Sequence, residues 1–227
     1  MLCTVCGGTE FTAHPVLWAQ LIDQWQLSPA EVAYVDRQQG ECCVSCGSNL
    51  RSIALANALR AVSGTTHMLR DFVGSAEAGH IRILELNAAG TLNPVLSKMP
   101  GHVFGAYPQV DLHALPWPDE TFDIVVHSDT LEHVASPIHA LVECRRVLKP
   151  RGALCLTVPI IVGRMSRGRT GLPKSHHGSP EEAGDDYVVH TEFGADAWCF
   201  LMEAGYSEVT IFQVAYPAAL AMAARRY

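Results

Sequence analysis

Ile83-Leu84-Glu85-Leu86-Asn87-Ala88-Ala89-Gly90 decides how the rest of the chain is read. An apolar run beginning at Ile81 ends in small residues and a glycine, the pattern of a strand running into a tight turn. Three further short apolar or β-branched runs follow, at Phe122–His127, Ala153–Val158 and Glu208–Phe212. Helical stretches lie between them, at Pro137–Leu148 and Gly194–Ala204. Near-continuous apolar strands separated by helices predict an α/β fold with a mostly parallel, doubly wound sheet covered on both faces.

Upstream of that run the texture differs. Ser28-Pro29-Ala30-Glu31 is a helix start, with Ser28 as cap, Pro29 in the first turn and Glu31 completing a capping box. Gly40 is a stop for that helix. A second helix is expected from Leu50 to Val62, and Ser75 to His80 reads as a boundary. The expected organisation is a small helical module over residues 1–78 and a sheet domain over 79–227.

Two segments of the module share one pattern, Cys3-Thr4-Val5-Cys6-Gly7 and Cys43-Val44-Ser45-Cys46-Gly47. Two residues between thiolates let a tight turn aim both sulfurs at one ion, and the glycine relieves the turn. Cys3, Cys6, Cys43 and Cys46 together make a closed tetrahedral Zn²⁺ site, structural because no position is left for water. Such a module either braces a domain or grips a substrate. Cys144, Cys155 and Cys199 lie in apolar surroundings and are read as core.

Composition narrows the function classes. Apolar residues are 48% of the 227 and charged residues 17%, below the usual share of about 25%, which excludes intrinsic disorder. The net charge of −7 argues against non-specific nucleic-acid binding. No apolar run of about 18 residues is present, so no membrane span is expected. Met1-Leu2-Cys3 lacks the basic and apolar regions of a signal peptide, which points to a reducing cytoplasm.

Four segments in order resemble the class I S-adenosylmethionine-dependent methyltransferases, in particular the ubiquinone-biosynthesis type. They are Ile83–Gly90, the run from Asp111-Leu112 through Leu115-Pro116-Trp117 to Phe122-Asp123, the run Ser128–Val134, and Arg146-Val147-Leu148-Lys149-Pro150-Arg151-Gly152. The resemblance implies a Rossmann-like sheet, S-adenosylmethionine as methyl donor and S-adenosylhomocysteine as product. It places Glu85, Asn87, Ala89, Gly90, Asp111, Leu112 and Ser128 on the cofactor side, with Asp111 facing the adenine amino group. The chain departs from the family in its first loop, where Asn87, Ala89 and Thr91 replace glycines. Asn tolerates left-handed dihedrals. Gly105-Ala106-Tyr107 stands where an acidic residue is expected, and the span between the second and third strands is too short for a helix.

His133, after Glu132, is the candidate general base. His176, His177 and His190 lie in polar loops and read as acceptor-side residues, solvated loop or a second metal site. Arg164, Arg167 and Arg169 belong to a basic segment, with no acidic residue between Cys144 and Pro180, suited to phosphate, carboxylate or a carrier-linked acceptor. Thr191-Glu192-Phe193-Gly194 also reads as the start of a helix. Trp18 and Trp25 read as helix-core contacts. The leading function is methyl transfer to a small molecule, glycan or biosynthetic intermediate. The alternatives are a catalytically silent binding or scaffold domain, and an RNA methyltransferase, which the overall charge disfavours.

Overall fold

The computed structural model describes residues 1–176 and 187–227. In chain order the N-terminal part holds β1 (Phe11–Ala13), α1 (Ala19–Trp25), α2 (Pro29–Gly40), β2 (Glu41–Cys43), α3 (Leu50–Val62) and α4 (Leu69–Phe72). Next come β3 (Ile83–Leu86), α5 (Asn93–Leu96), β4 (His102–Gly105), β5 (Phe122–Ser128), α6 (Pro137–Val147) and β6 (Leu148–Thr157). The chain ends with β7 (Ile160–Ile161), β8 (Arg167–Gly168), β9 (Thr191–Gly194), α7 (Ala197–Glu203), β10 (Glu208–Val214) and β11 (Ala219–Arg225). No helix among the described residues is long and apolar enough to cross a membrane.

The central sheet has six strands in the order β10-β11-β6-β5-β3-β4. β4, β3, β5 and β6 are parallel, and β11 and β10 add an antiparallel edge. This is the mostly parallel, Rossmann-like sheet that the sequence predicts. The predicted contraction is present too. Between β4 and β5 the chain forms neither helix nor strand, so β4 is the sheet's edge.

Strand alternation sorts the core into two layers. Ile83, Val126, Cys155 and Ala223 face one side, with α3 and α4. Leu84, Val125, Leu154 and Ala224 face the other, with α6 and α7. Helix α3 forms because Asn49 caps it, accepting from the Ser52 N–H at 2.8 Å, and because its alanines and leucines favour helix. Leu50, Ile53, Leu55 and Leu59 are fully buried on it, each stabilising by roughly 1.5–3 kcal/mol. The predicted capping box at Ser28 and Glu31 is formed.

The N-terminal cysteines share this packing. Cys3, Val5 and Cys43 lie in the same apolar cluster as Ile83, Val126 and Cys155. Residues on both sides of the expected 78/79 boundary therefore fill one core. The module is also not purely helical, since β1 and β2 pair antiparallel, Phe11 opposite Cys43.

One other expectation needs correction. Residues 191–194 are a strand rather than the start of a helix, because β9 pairs with β7 and β8; the helix begins at Ala197. Ala219–Arg225, rich in a helix-forming residue, is a strand because small side chains at Ala221 and Ala223 let α3 pack closely over β11. Cys144 and Cys155 are core residues, as expected, and burial pushes both thiols up to about 12. Cys199 is only half-buried.

Candidate active site

The C-terminal ends of β3, β4 and β5 converge on a cavity of about 540 Å³. Its floor is organised by Asn87, whose φ of 55° puts the chain in the left-handed region as β3 ends. The Asn87 side chain then spans two neighbouring loops. The Tyr107 N–H donates to its Oδ1 at 3.0 Å, and its Nδ2 donates to Thr130 Oγ1 at 3.4 Å. A glycine could turn the strand but could not make these bonds.

Of the expected cofactor-side residues, Asn87, Asp111, Leu112 and Ser128 line this cavity. Asp111 Oδ1 accepts from the His113 backbone N–H, which holds the carboxyl below its usual range. Ser128 Oγ shares a hydrogen bond with Thr157 Oγ1 at 2.7 Å. Glu85 stands behind the loop, fully buried. It accepts from the Ala89 N–H at 2.7 Å and from Asn93 Nδ2 at 3.0 Å, and meets His102 Nε2 at 2.7 Å. It braces the turn that Ala89 and Gly90 complete. A methyl group added at Gly90 would meet Ser52 Oγ at 3.6 Å, so the loop rests on α3.

A second cavity, of about 270 Å³, adjoins the first. Asp129, His133 and Tyr187 line both. Asp129 pairs with Arg51, and Gln39 Nε2 donates to its Oδ2 at 3.3 Å. Both partners come from the N-terminal helices. His133 Nδ1 lies 3.1 Å from the Val188 carbonyl. A carbonyl oxygen can only accept, so Nδ1 carries a proton, and Nε2 lies 3.8 Å from Glu132 Oε1. Arg51, Asp129 and Tyr187 were not singled out from the sequence. Asp129 had a signal, standing inside the quoted Ser128–Val134 segment; Arg51 looked like one more helix residue.

The basic segment is neutralised in space. Arg164 pairs with Glu31 at 2.6 Å and donates to the Trp25 and Gln26 carbonyls, closing the end of α1. Arg167 and Arg169 both pair with buried Glu192. His190 lines the larger cavity, whereas His176 forms a backbone bridge with Val188. His177 lies outside the described residues.

Hydrogen bonds from Arg164 hold the Glu31 carboxyl down to about 2. A depressed carboxylate stabilises the fold above the ordinary range near 4.3, and the contribution fades as pH falls toward about 2. Glu31→Gln should therefore lower the melting temperature at pH 7 and flatten its fall between about pH 4.5 and 2. Thermal melts across that window check this.

The four N-terminal sulfurs all lie within 4.8 Å of one another. Cys3 and Cys46 are 3.6 Å apart, Cys6 and Cys43 3.7 Å. A tetrahedral ion with bonds of about 2.3 Å needs sulfurs roughly 3.8 Å apart, so the donor set fits. The two turns match each other. The Gly7 and Gly47 N–H groups donate to the Cys3 and Cys43 carbonyls, and both glycines have positive φ, 84° and 73°. Ser48 joins this cluster to the loop after β3, its hydroxyl lying 3.3 Å from Cys46 Sγ and 3.1 Å from Thr91 Oγ1.

Residues 82–156 match the Methyltransf_11 family model, described as a methyltransferase domain. An uncharacterized methyltransferase from Schizosaccharomyces pombe is 50% identical over 44 residues, 19% of this chain and 16% of its own. A ubiquinone biosynthesis O-methyltransferase from Roseobacter denitrificans is 43% identical over 53 residues, 23% of this chain and 21% of its own. The matched stretch thus spans about a fifth of each of these relatives. A solved S-adenosylmethionine-dependent methyltransferase from Mesorhizobium loti aligns with a TM-score of 0.45 and 16% identity, covering 76% of this chain and 98% of its own. The matched stretch holds β3, β4, β5 and α6, and ends within β6. It therefore contributes the strand ends under both cavities.

Proposed function

We propose that the chain is an S-adenosylmethionine-dependent methyltransferase whose four N-terminal cysteines hold a structural Zn²⁺. The observation that carries this reading is the paired cavity. A cleft of about 540 Å³ lies where parallel strands of a methyltransferase domain end, and it opens past Asp129, His133 and Tyr187 onto a second cavity. Open parallel sheets bind ligands in that crevice, and the volume falls within the roughly 300–1,000 Å³ of cofactor sites.

Bound S-adenosylmethionine would supply a methyl carbon already activated by its sulfonium, so the protein's part is position and exclusion of water. Asn87 would hold three loops in register around the cofactor. Asp111, exposed on the cleft wall, would accept from the adenine amino group. His133 Nε2 would take the acceptor's proton. The acceptor is a small molecule or one linked to a carrier. Arg164 is paired with Glu31, and Arg167 and Arg169 share Glu192, so most of this local positive charge is taken up within the fold, which argues against the RNA reading.

Calorimetric titration with S-adenosylhomocysteine tests the reading. Binding with micromolar affinity is expected, and Asn87→Leu should weaken it about tenfold or more by losing both loop contacts and straining a left-handed residue. No heat at millimolar ligand would overturn the enzyme reading in favour of the silent binding domain.

A further inference from the structure

We infer that the smaller cavity is the acceptor site and that it takes a compact, apolar, ring-bearing molecule whose one protic group faces Asp129 and His133. This rests on the methyltransferase reading and names its substrate class. The walls are apolar side chains of the N-terminal helices and the strand after the sheet, chiefly Leu17, Trp18, Leu21, Trp25, Val35 and Ile161. Its charged lining residues are Arg51, Asp129, Glu132 and His133. Asp129, Glu132 and His133 follow β5, and Arg51 is paired with Asp129 there. Asp129 and His133 also line the cofactor cleft, so a group placed beside them stands between the two compartments.

The wall is preorganised. Trp25 Nε1 donates to Ser175 Oγ at 2.7 Å, and the Arg169 guanidinium lies 5.7 Å from the centre of the Trp25 ring. Arg164 ties the end of α1 to the domain through the Trp25 and Gln26 carbonyls. The basic loop thus shapes the pocket wall and does not meet the ligand with its charges. About 270 Å³, at roughly 30 Å³ per water, is room for about nine waters, which suits one or two fused rings. A sugar would leave several hydroxyls against Leu21, Trp25 and Ile161 without partners, and burying an unpaired hydroxyl is unfavourable. The geometry therefore selects an apolar ring over a glycan.

In the transfer, a lone pair on the acceptor's oxygen or nitrogen forms the new bond to the methyl carbon. The carbon–sulfur bond breaks and its electron pair stays on sulfur, leaving the neutral thioether. The acceptor's proton passes to His133 Nε2 and then to water. The products are the methylated acceptor, S-adenosylhomocysteine and one proton.

The test uses 2-naphthol as probe on the full chain. Binding is measured by calorimetry with and without S-adenosylhomocysteine, and methyl transfer from S-adenosylmethionine by mass spectrometry. Naphthol should bind with a dissociation constant on the order of 100 µM and be methylated on oxygen. Leu21→Glu and Trp18→Ala should each weaken naphthol about tenfold or more, Leu21→Met by no more than about threefold. S-adenosylhomocysteine affinity should stay unchanged in all three, which also shows that the variants fold. Trp18 is only half-buried, so its variant keeps the test open if Leu21→Glu does not fold. Homocysteine-nucleoside binding without naphthol binding, or naphthol binding insensitive to both Leu21→Glu and Trp18→Ala, overturns the pocket assignment and leaves the methyltransferase reading standing. Naphthol binding that responds to these variants, with no S-adenosylhomocysteine binding, upholds the apolar site and overturns the transfer reading.

Discussion

Removal of metal is expected to unfold the sheet domain along with the N-terminal knuckles. The purified chain should carry one zinc, and a strong chelator at pH 7 should lower its melting temperature by about 10 °C or more, or abolish the transition. Structural zinc is worth on the order of 10–16 kcal/mol in small zinc-bound peptides at that pH, against roughly 5–15 kcal/mol of total stability for a domain. The effect reaches the sheet because Cys3 and Cys43 are packed in the same cluster as Ile83, Val126 and Cys155. Burial pushes the Cys3 thiol up, so without a cation that sulfur keeps its proton. Cys43→Ser should reproduce the chelator result. Cofactor affinity should fall with metal content, because Ser48 connects Cys46 to Thr91 at the end of the cofactor loop. A chain that is metal-free as purified, or one that melts within about 2 °C with and without chelator, would remove the zinc site. Metal analysis and circular-dichroism melts make the measurement.

The cysteine pairs were legible because metal geometry writes itself into local spacing, and the sheet strands because burial on both faces leaves a continuous apolar run. Helix α3 was legible as a helix but not in its role. Nothing in Leu50–Val62 says that it covers a sheet whose strands come up to 170 residues later. Ala219–Arg225 carries no strand signal of its own, since alanine prefers helix, and pairing with β6 and β10 overrides that preference. The basic segment misled for a related reason. Charge was read along the chain, whereas Glu31 and Glu192 reach Arg164, Arg167 and Arg169 from elsewhere in the fold. In the site, Asn87 was readable as a left-handed residue but its two side-chain bonds were not. Arg51 and Asp129, 78 positions apart, become one feature only once α3 is laid against the end of β5.

That pair sets the second large effect. The Arg51 side chain is 5% exposed and that of Asp129 31%, so loss of the carboxylate leaves a buried guanidinium with a half-open partner site. Breaking a buried pair from one side costs about 3–5 kcal/mol; partial exposure of Asp129 puts this case at the lower end. Asp129→Ala should cost about 3 kcal/mol, part of it from placing alanine at a φ of 49°, since left-handed backbone strains a non-glycine residue. Asp129→Asn keeps a side chain that tolerates that conformation and should cost about 2 kcal/mol. Arg51 also donates to Gln38 Oε1 at 3.2 Å, which retains part of its solvation in either variant. The decisive measurement is the double-mutant cycle by urea denaturation. Arg51→Met combined with Asp129→Asn should be more stable than the sum of the two single losses by about 1 kcal/mol or more, because the cation that loses its partner is itself removed. Strict additivity would show that the two groups do not stabilise each other. Since Asp129 stands between the two cavities, Asp129→Asn should also reduce methyl transfer to naphthol more than it weakens S-adenosylhomocysteine, separating its place at the acceptor from its place in the fold.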